Sequence, residues 1–504
     1  SLTVPSSVRG GFCSLILNIP NAPVRVKNLI AGSWQTSEST IAVESPYTGT
    51  TIAEVDVASP AQVDEAARAA AKAAAEWRRV PIKERTQLLL EFRAKVLANI
   101  DELSNLAAME CGKTIAEARA GVLKGIEVIE FAASLQNMQT EGALEVSRGV
   151  TCETRREPMG VVAGITPFNF PAMVPMWQFP IAVTVGNAFI LKPSEKVPMS
   201  AMRLGELFIE AGYPAGVLSI VNGGKETVEA VIDHPEVKAI GFVGSTPIAK
   251  AVYARAASHG KRALALGGAK NHLIVVPDAD PDITVDGVVA SFTGCAGQRC
   301  MAASLMVAVG NVDHLIDAIA KRAREIRLGT DMGAIITKES HQGLLDSLDR
   351  AEKDGAKLIL DGRSVRPPAG HEGGYWLAPS IIDGAQPDWD CAHRELFGPV
   401  LTIVRVDTLD QALDLENAHH YGNATSVFTT AGSVARHVTE RASTGMVGVN
   451  IGVPVPREPF SFGGTKDSRF GSGDMTGQGG VELWTYLKKV TTKWALHSDA
   501  NWMS

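Results

Sequence analysis

Residues 292–302 read Phe-Thr-Gly-Cys-Ala-Gly-Gln-Arg-Cys-Met-Ala, and Cys300 is the group in this stretch best placed for covalent chemistry. It follows Gly297, Gln298 and Arg299, so its backbone can approach a ligand closely and a neighbouring guanidinium favours the thiolate. That pattern describes a nucleophile. A free cysteine is more often a small buried apolar group, and Cys295, which lies outside the pattern, is read that way.

A nucleophile that attacks a carbonyl needs donors for the oxyanion, and a polar turn after a buried strand can supply them. The β-branched run from Gly160 to Thr166 ends in Pro167-Phe168-Asn169-Phe170-Pro171, which reads as a strand entering a loop. Asn169 can hold that turn or donate its amide. Residues 187–195 repeat the strand-then-loop pattern and end in Lys192-Pro193-Ser194-Glu195, one donor and one acceptor at short spacing. Two more strand-loop-helix units follow, at 217–224 and at 239–246. Alternating strands and helices predict a parallel, doubly wound sheet with a dinucleotide at its carboxyl edge. No G-x-G-x-x-G turn accompanies these units, yet Gly244-Ser245 before a helix can offer N–H groups to a phosphate.

These motifs, from about Val26 to the C-terminus, resemble the aldehyde dehydrogenase superfamily. The resemblance implies an α/β fold with a Rossmann-like cofactor domain (23–141 and 159–270), an α/β catalytic domain (271–479) and a small β oligomerisation element (142–158 and 480–500). Residues 1–22 are left as an arm or a remnant of expression. The resemblance also implies roles. Cys300 is the nucleophile and Asn169 the oxyanion donor. NAD is held by Thr166, Phe168, Lys192, Glu195, Lys196, Ser245 and Gly267, with Glu395 and Phe397 of the Glu-Leu-Phe-Gly-Pro motif at the nicotinamide ribose. Glu195 would repel a 2′-phosphate, which favours NAD over NADP.

The departures are informative. Leu264-Ala265-Leu266-Gly267-Gly268-Ala269-Lys270-Asn271 resembles the family's Glu-Leu-Gly-Gly-Lys, but either Ala265 or Leu266 stands where the family's glutamate activates water. Losing such a base forfeits about 10²–10⁴-fold in water attack, so a stronger nucleophile, the CoA thiol, is expected as co-substrate. The Gly-Ala-Lys-Asn-His run at 268–272 and Gly-Gln-Arg-Cys-Met-Ala at 297–302 resemble the CoA-acylating methylmalonate-semialdehyde dehydrogenase branch. That branch implies a substrate carboxylate, for which Arg299 and Lys124 are the candidate cations. Lys124 stands where the branch carries arginine, which keeps the charge and loses the bidentate fork. A hydrolytic NAD-dependent enzyme for another short acidic aldehyde is the alternative, and a catalytically silent relative a third.

The rest of the chain must position these groups. It has 504 residues, more than one hydrophobic core supports, with 20% charged residues and a net charge of −7. No block of like charge marks a nucleic-acid or lipid-binding tail. The six cysteines show neither CxxC nor Cys/His ligand spacing, so no metal site or disulfide framework is expected, and a reducing compartment, bacterial cytoplasm or mitochondrial matrix, fits. Residues 160–191 carry no charge, but four prolines and several amides there argue for enzyme interior over a membrane span. Helices are expected from 60, over 82–98, 101–110 and 114–136, and a final strand over 483–492. The final strand is expected to join 142–158 in a dimer or tetramer.

Overall fold

The computed structural model describes residues 22–138 and 142–494. An eight-stranded sheet forms the first lobe. Its centre is five parallel strands, Arg262–Leu266, Val237–Val243, Val161–Ile165, Ala188–Lys192 and Leu218–Ile220, side by side in that order. Val161–Ile165 and Ala188–Lys192 are buried along their whole length, as a sheet covered on both faces requires. Strand order reverses at Val161–Ile165, which pairs with Ala188–Lys192 on one side and Val237–Val243 on the other. Ligands of open α/β sheets bind at the carboxyl ends of strands beside such a reversal. Register brings Ile165, Lys192 and Phe242 level there, so the loops carrying Asn169, Glu195 and Ser245 leave the sheet together.

The second lobe is a seven-stranded sheet in which Asn271–Val275 lies between Ala303–Val309 and Ala424–Phe428, all parallel. Val400–Val406 pairs with Ala303–Val309 on its far side. Cys300, Asn271, Asn423 and the Glu395 loop all precede or open these strands, so they meet at the amino edge of this sheet. The site therefore forms where the carboxyl edge of one sheet faces the amino edge of the other.

The remaining expectations fall mostly into place. The helix predicted over 114–136 is Ile115–Ser134 with a 3₁₀ turn, Leu135–Asn137, after it. Met173–Thr184 is a helix despite holding Pro175 and Pro180, and all its residues are buried. Pro175 sits in the first turn, where its missing N–H costs little, and packing on every side outweighs the bond lost at Pro180. The predicted strand over 483–492 begins later, because the helix Gly477–Leu483 runs into its start and the strand is Thr485–Lys493. That strand pairs with Val150–Pro158, which also pairs with Ala143–Ser147. Residues 1–21, including Cys13, and 495–500 of the expected oligomerisation element lie outside the described residues. Among those described, no helix is long and apolar enough to cross a membrane.

Candidate active site

Cys300 follows a left-handed turn. Cys295, Ala296 and Gly297 all have positive φ, at 53°, 53° and 69°, after the helix Pro281–Thr293. Only glycine fits at 297, since a Cβ there would lie 2.0 Å from the Gly398 carbonyl oxygen. This contact presses the Cys300 loop against the loop that carries Glu395 and Phe397. Two amides fix the Cys300 carbonyl: Asn271 Nδ2 donates to it at 2.8 Å and Asn423 Nδ2 at 2.9 Å. Asn169 Nδ2 donates to the Gln298 carbonyl at 3.1 Å, which ties the predicted oxyanion donor to the nucleophile's own loop. Its second amide proton has no protein acceptor among the described residues.

Cys300 lines a cavity of about 360 Å³ with Arg299, Lys124, Glu117, Phe170, Trp177 and Phe462 among its walls. Glu117 closes a capping box at the start of Ile115–Ser134, its Oε2 accepting from the Thr114 amide at 3.1 Å and its Oε1 from the Cys295 amide at 2.6 Å. Both oxygens of this cavity carboxylate are thus held by backbone.

Burial pushes the Cys300 thiol up to about 12, and the nearby Glu395 charge adds to the rise. Its own amide, Arg299 and the Met301 amide oppose it only in part. This corrects the expectation that Arg299 would hold a resting thiolate. Nη2 of Arg299 donates to the carbonyls of Ala290 and Ser291 at 2.6 and 2.9 Å, capping the last turn of Pro281–Thr293. Arg299 still borders the cavity, and its Nη1 makes no hydrogen bond to the described residues. Lys124 departs further from expectation. It is no free cation, because Nζ lies 2.7 Å from Glu127 Oε2 and 3.3 Å from Glu458 Oε2.

On the other side of Cys300, Glu395 is half-buried as a residue while its carboxyl end points inward. Oε1 accepts from the Ala269 amide at 3.0 Å, and Oε2 lies so close to Gly268 that a Cβ there would come within 2.4 Å. Burial raises the Glu395 carboxyl to about 7, against the Ala269 amide and Lys270. Ala265 and Leu266, the two alternatives for the family's base position, are both buried in Arg262–Leu266.

The predicted cofactor residues from Thr166 to Gly267 gather along the carboxyl edge of the first sheet, and Glu395 and Phe397 face them from the second lobe. Thr166 is buried and its amide donates to the Lys192 carbonyl at 3.1 Å. Lys192 Nζ donates to Glu195 Oε2 at 3.1 Å. Burial lowers the Lys192 ammonium, whereas the Glu195 carboxyl, which burial alone would raise, is held low by that ammonium. Lys196 Nζ stands 5.4 Å above the Phe168 ring, and Phe168 meets Phe397 edge-on at 5.8 Å. Phe397 itself has a left-handed backbone, φ 58°. Ser245 begins the helix Thr246–Ser258 but makes no side-chain cap, so its hydroxyl is uncommitted. The Gly267 amide donates to the Ser468 carbonyl at 2.9 Å, which sets the turn between the two lobes.

Reasoning from sequence missed Asn271, Asn423, Glu117 and Glu458. The Thr114-to-Glu117 spacing of a capping box was the only local signal among them. Away from the site, His393, His419 and His420 bring ring nitrogens within 4.8 Å of one another. His419 Nδ1 accepts from the Tyr421 amide at 3.1 Å, so the neutral ring keeps its proton on Nε2 and offers no lone pair there to a metal.

The aldehyde dehydrogenase family profile matches residues 34–490. Malonate-semialdehyde dehydrogenase 2 of Geobacillus kaustophilus (strain HTA426) is 43% identical over 479 residues, covering 93% of this chain and 99% of the relative. The crystal structure of methylmalonate-semialdehyde dehydrogenase from Oceanimonas doudoroffii matches with a TM-score of 0.92 at 40% identity, covering 94% of this chain and 99% of that one. A protein of Sinorhizobium meliloti 1021, provisionally named a methylmalonate-semialdehyde dehydrogenase and solved with NAD, matches with a TM-score of 0.93 at 39% identity, covering 95% of this chain and 100% of that one. With the family profile matched over 34–490 and relatives of about 40% identity covered almost end to end, this chain belongs to the aldehyde dehydrogenase family.

Proposed function

We propose that the protein oxidises malonate or methylmalonate semialdehyde with NAD and passes the acyl group to CoA, with loss of CO₂, to give acetyl-CoA or propionyl-CoA. The observation that carries this reading is the setting of the carboxylates around Cys300. Neither Ala265 nor Leu266, the two alternatives for the water-activating position, is an acid, and Glu117 has both oxygens bound by backbone amides. With no acid at the family's water-activating position and Glu117 committed to backbone amides, an acyl group on Cys300 resists water and awaits a thiol.

The cofactor-binding residues suit a dinucleotide. Lys192 and Glu195 present a buried donor and acceptor to ribose hydroxyls, Ser245 has an unspent hydroxyl before a helix N-terminus, and Glu395 can accept from a second ribose. NAD, when bound, supplies the oxidant that takes a hydride from the substrate carbon. Phe168 and Phe397 pack at the junction between that groove and the nucleophile loop.

In the reading proposed, the Cys300 sulfur bonds to the aldehyde carbon as the S–H bond breaks and its proton passes to solvent. The oxygen takes the negative charge and is met by the second Asn169 amide proton and the Cys300 N–H. Asn271 and Asn423 keep the loop from turning as charge develops. Once the carbon is oxidised the adduct is a thioester. Its β-carboxylate leaves as CO₂, the electron pair passing to an enolate held by the same donors before protonation. The CoA sulfur then bonds to the acyl carbon, the Cys300 S–C bond breaks, and Cys300 regains a proton.

Hydrolysis is the competing reading. One observation favours it: the Glu395 carboxyl titrates near neutrality, with Oε2 bound by no described residue. Incubating malonate semialdehyde and NAD with and without CoA, with mass spectrometry of products, separates the two. Acetyl-CoA and CO₂, with turnover that stalls without CoA, support acylation. Free acid at the same rate without CoA overturns it.

For assembly, the outer sheet of Ala143–Ser147, Val150–Pro158 and Thr485–Lys493 supports a homo-oligomer. Leu144 is 68% and Trp494 78% exposed, apolar surface of the kind a second subunit would cover.

A further inference from the structure

The substrate side of the cavity carries a charge arrangement that selection for an acid-bearing aldehyde does not call for. Lys124, from the helix Ile115–Ser134, reaches across to Glu458, 334 residues later on the loop beyond the strand Met446–Val449. The contact is secluded, the Lys124 side chain being 18% and that of Glu458 9% exposed. Glu127 holds the same ammonium at 2.7 Å, and its other oxygen lies 3.7 Å from Arg457. Of the cations lining the cavity, Lys124 is thus held from behind by Glu127 and Glu458 and Arg457 lies near Glu127, while Arg299 pairs with no carboxylate among the described residues.

We infer that Glu458 sets the charge specificity of this cavity. By occupying Lys124 it keeps the ammonium from acting as a dedicated carboxylate receptor, and its own charge opposes an incoming anion. The substrate acid is then left to Arg299, whose guanidinium adjoins Cys300 in the chain and has Nη1 unspent. A three- or four-carbon semialdehyde, whose carboxylate lies close to the reacting carbon, suits that position. Short neutral aldehydes, which lose nothing to Glu458, should be turned over as well. The substrate class is therefore short aldehydes with or without an acid group, with only modest preference for the acid. This deepens, and rests on, the reading of the cavity as the semialdehyde site.

The opposed pair makes the effect measurable. Charges in a secluded cavity are screened less than on the surface, so removing one carboxylate beside the ammonium should change anion binding by about tenfold or more. The probes are malonate semialdehyde and propanal, the readout NADH formation at saturating NAD and CoA. Glu458→Gln should raise kcat/KM for malonate semialdehyde about tenfold, chiefly through KM, and leave propanal within about twofold. Lys124→Met should lower the acid-to-neutral ratio. Glu458→Asp keeps the charge and should hold the ratio within about twofold of wild type, which guards against misfolding of the amide variant. Equal changes for both aldehydes in Glu458→Gln, or no change for the acid, would overturn the inference. The ratio is read from NADH whatever accepts the acyl group. A wild type that releases free acid would therefore sink the acylation reading while leaving this test intact.

Discussion

The two sides of the Cys300 sulfur are built on different principles. On the cofactor side, polar groups leave sheet edges at fixed register, and several hold capacity in reserve: Lys192 against Glu195, Ser245 without a capping duty, Glu395 with one oxygen unspent. On the proposed substrate side, a cation is held both by a neighbour one turn along its helix, Glu127, and by Glu458 from a segment far away in the chain. A groove for one dinucleotide can be fixed by sheet geometry. A cavity that selects among small aldehydes is tuned by long side chains whose charges cancel or do not.

The largest effect sharpens the centre of that comparison. Cys300→Ala should abolish NADH formation from any aldehyde, by about 10⁴-fold or more, while thermal unfolding shows the fold intact. Asn169→Ala, which also cuts the tie to the Gln298 carbonyl, should cost about 10²–10³ in kcat with little change in KM for NAD. Lys192→Ala should act on the cofactor side alone. About tenfold in KM for NAD is expected, with the acid-to-neutral aldehyde ratio unmoved, and a shift in that ratio would break the division between the two sides. Asn423→Ala should be milder, about tenfold in kcat, because Asn271 still holds the Cys300 carbonyl.

The smallest effect is on pH dependence. The Glu395 carboxyl is raised to about 7, so in the free enzyme it is mostly protonated below pH 7 and ionised above it. An ionised acceptor holds ribose hydroxyls better, so KM for NAD should fall as pH rises from 6 to 8. Glu395→Gln should flatten that slope. The same elevation disfavours the ionised folded state, so Glu395 lends less to stability as pH climbs from the ordinary carboxylate range toward 7.

Local pattern carried the first lobe well. The runs at 161–165 and 188–192 reveal fully buried strands, the second ending in Lys192, and the loops after them carry Asn169 and Glu195. The chemistry of Cys300 was only half legible. Arg299 is adjacent in sequence and suggested a thiolate, whereas burial and Glu395, 95 positions away, decide the opposite direction. The Asn423 grip on the Cys300 carbonyl and the Lys124 contact with Glu458 span 123 and 334 positions, distances across which no periodicity or spacing speaks. Pro175 and Pro180 mislead for a related reason, since the packing that sustains their helix comes from elsewhere in the chain.

The most direct test of the account is a single turnover of malonate semialdehyde with excess enzyme and NAD in the absence of CoA, followed by intact-mass analysis over time. A long-lived acyl adduct on Cys300, discharged at once when CoA is added, is the result predicted. An adduct that decays as fast without CoA, releasing free acid, would contradict it.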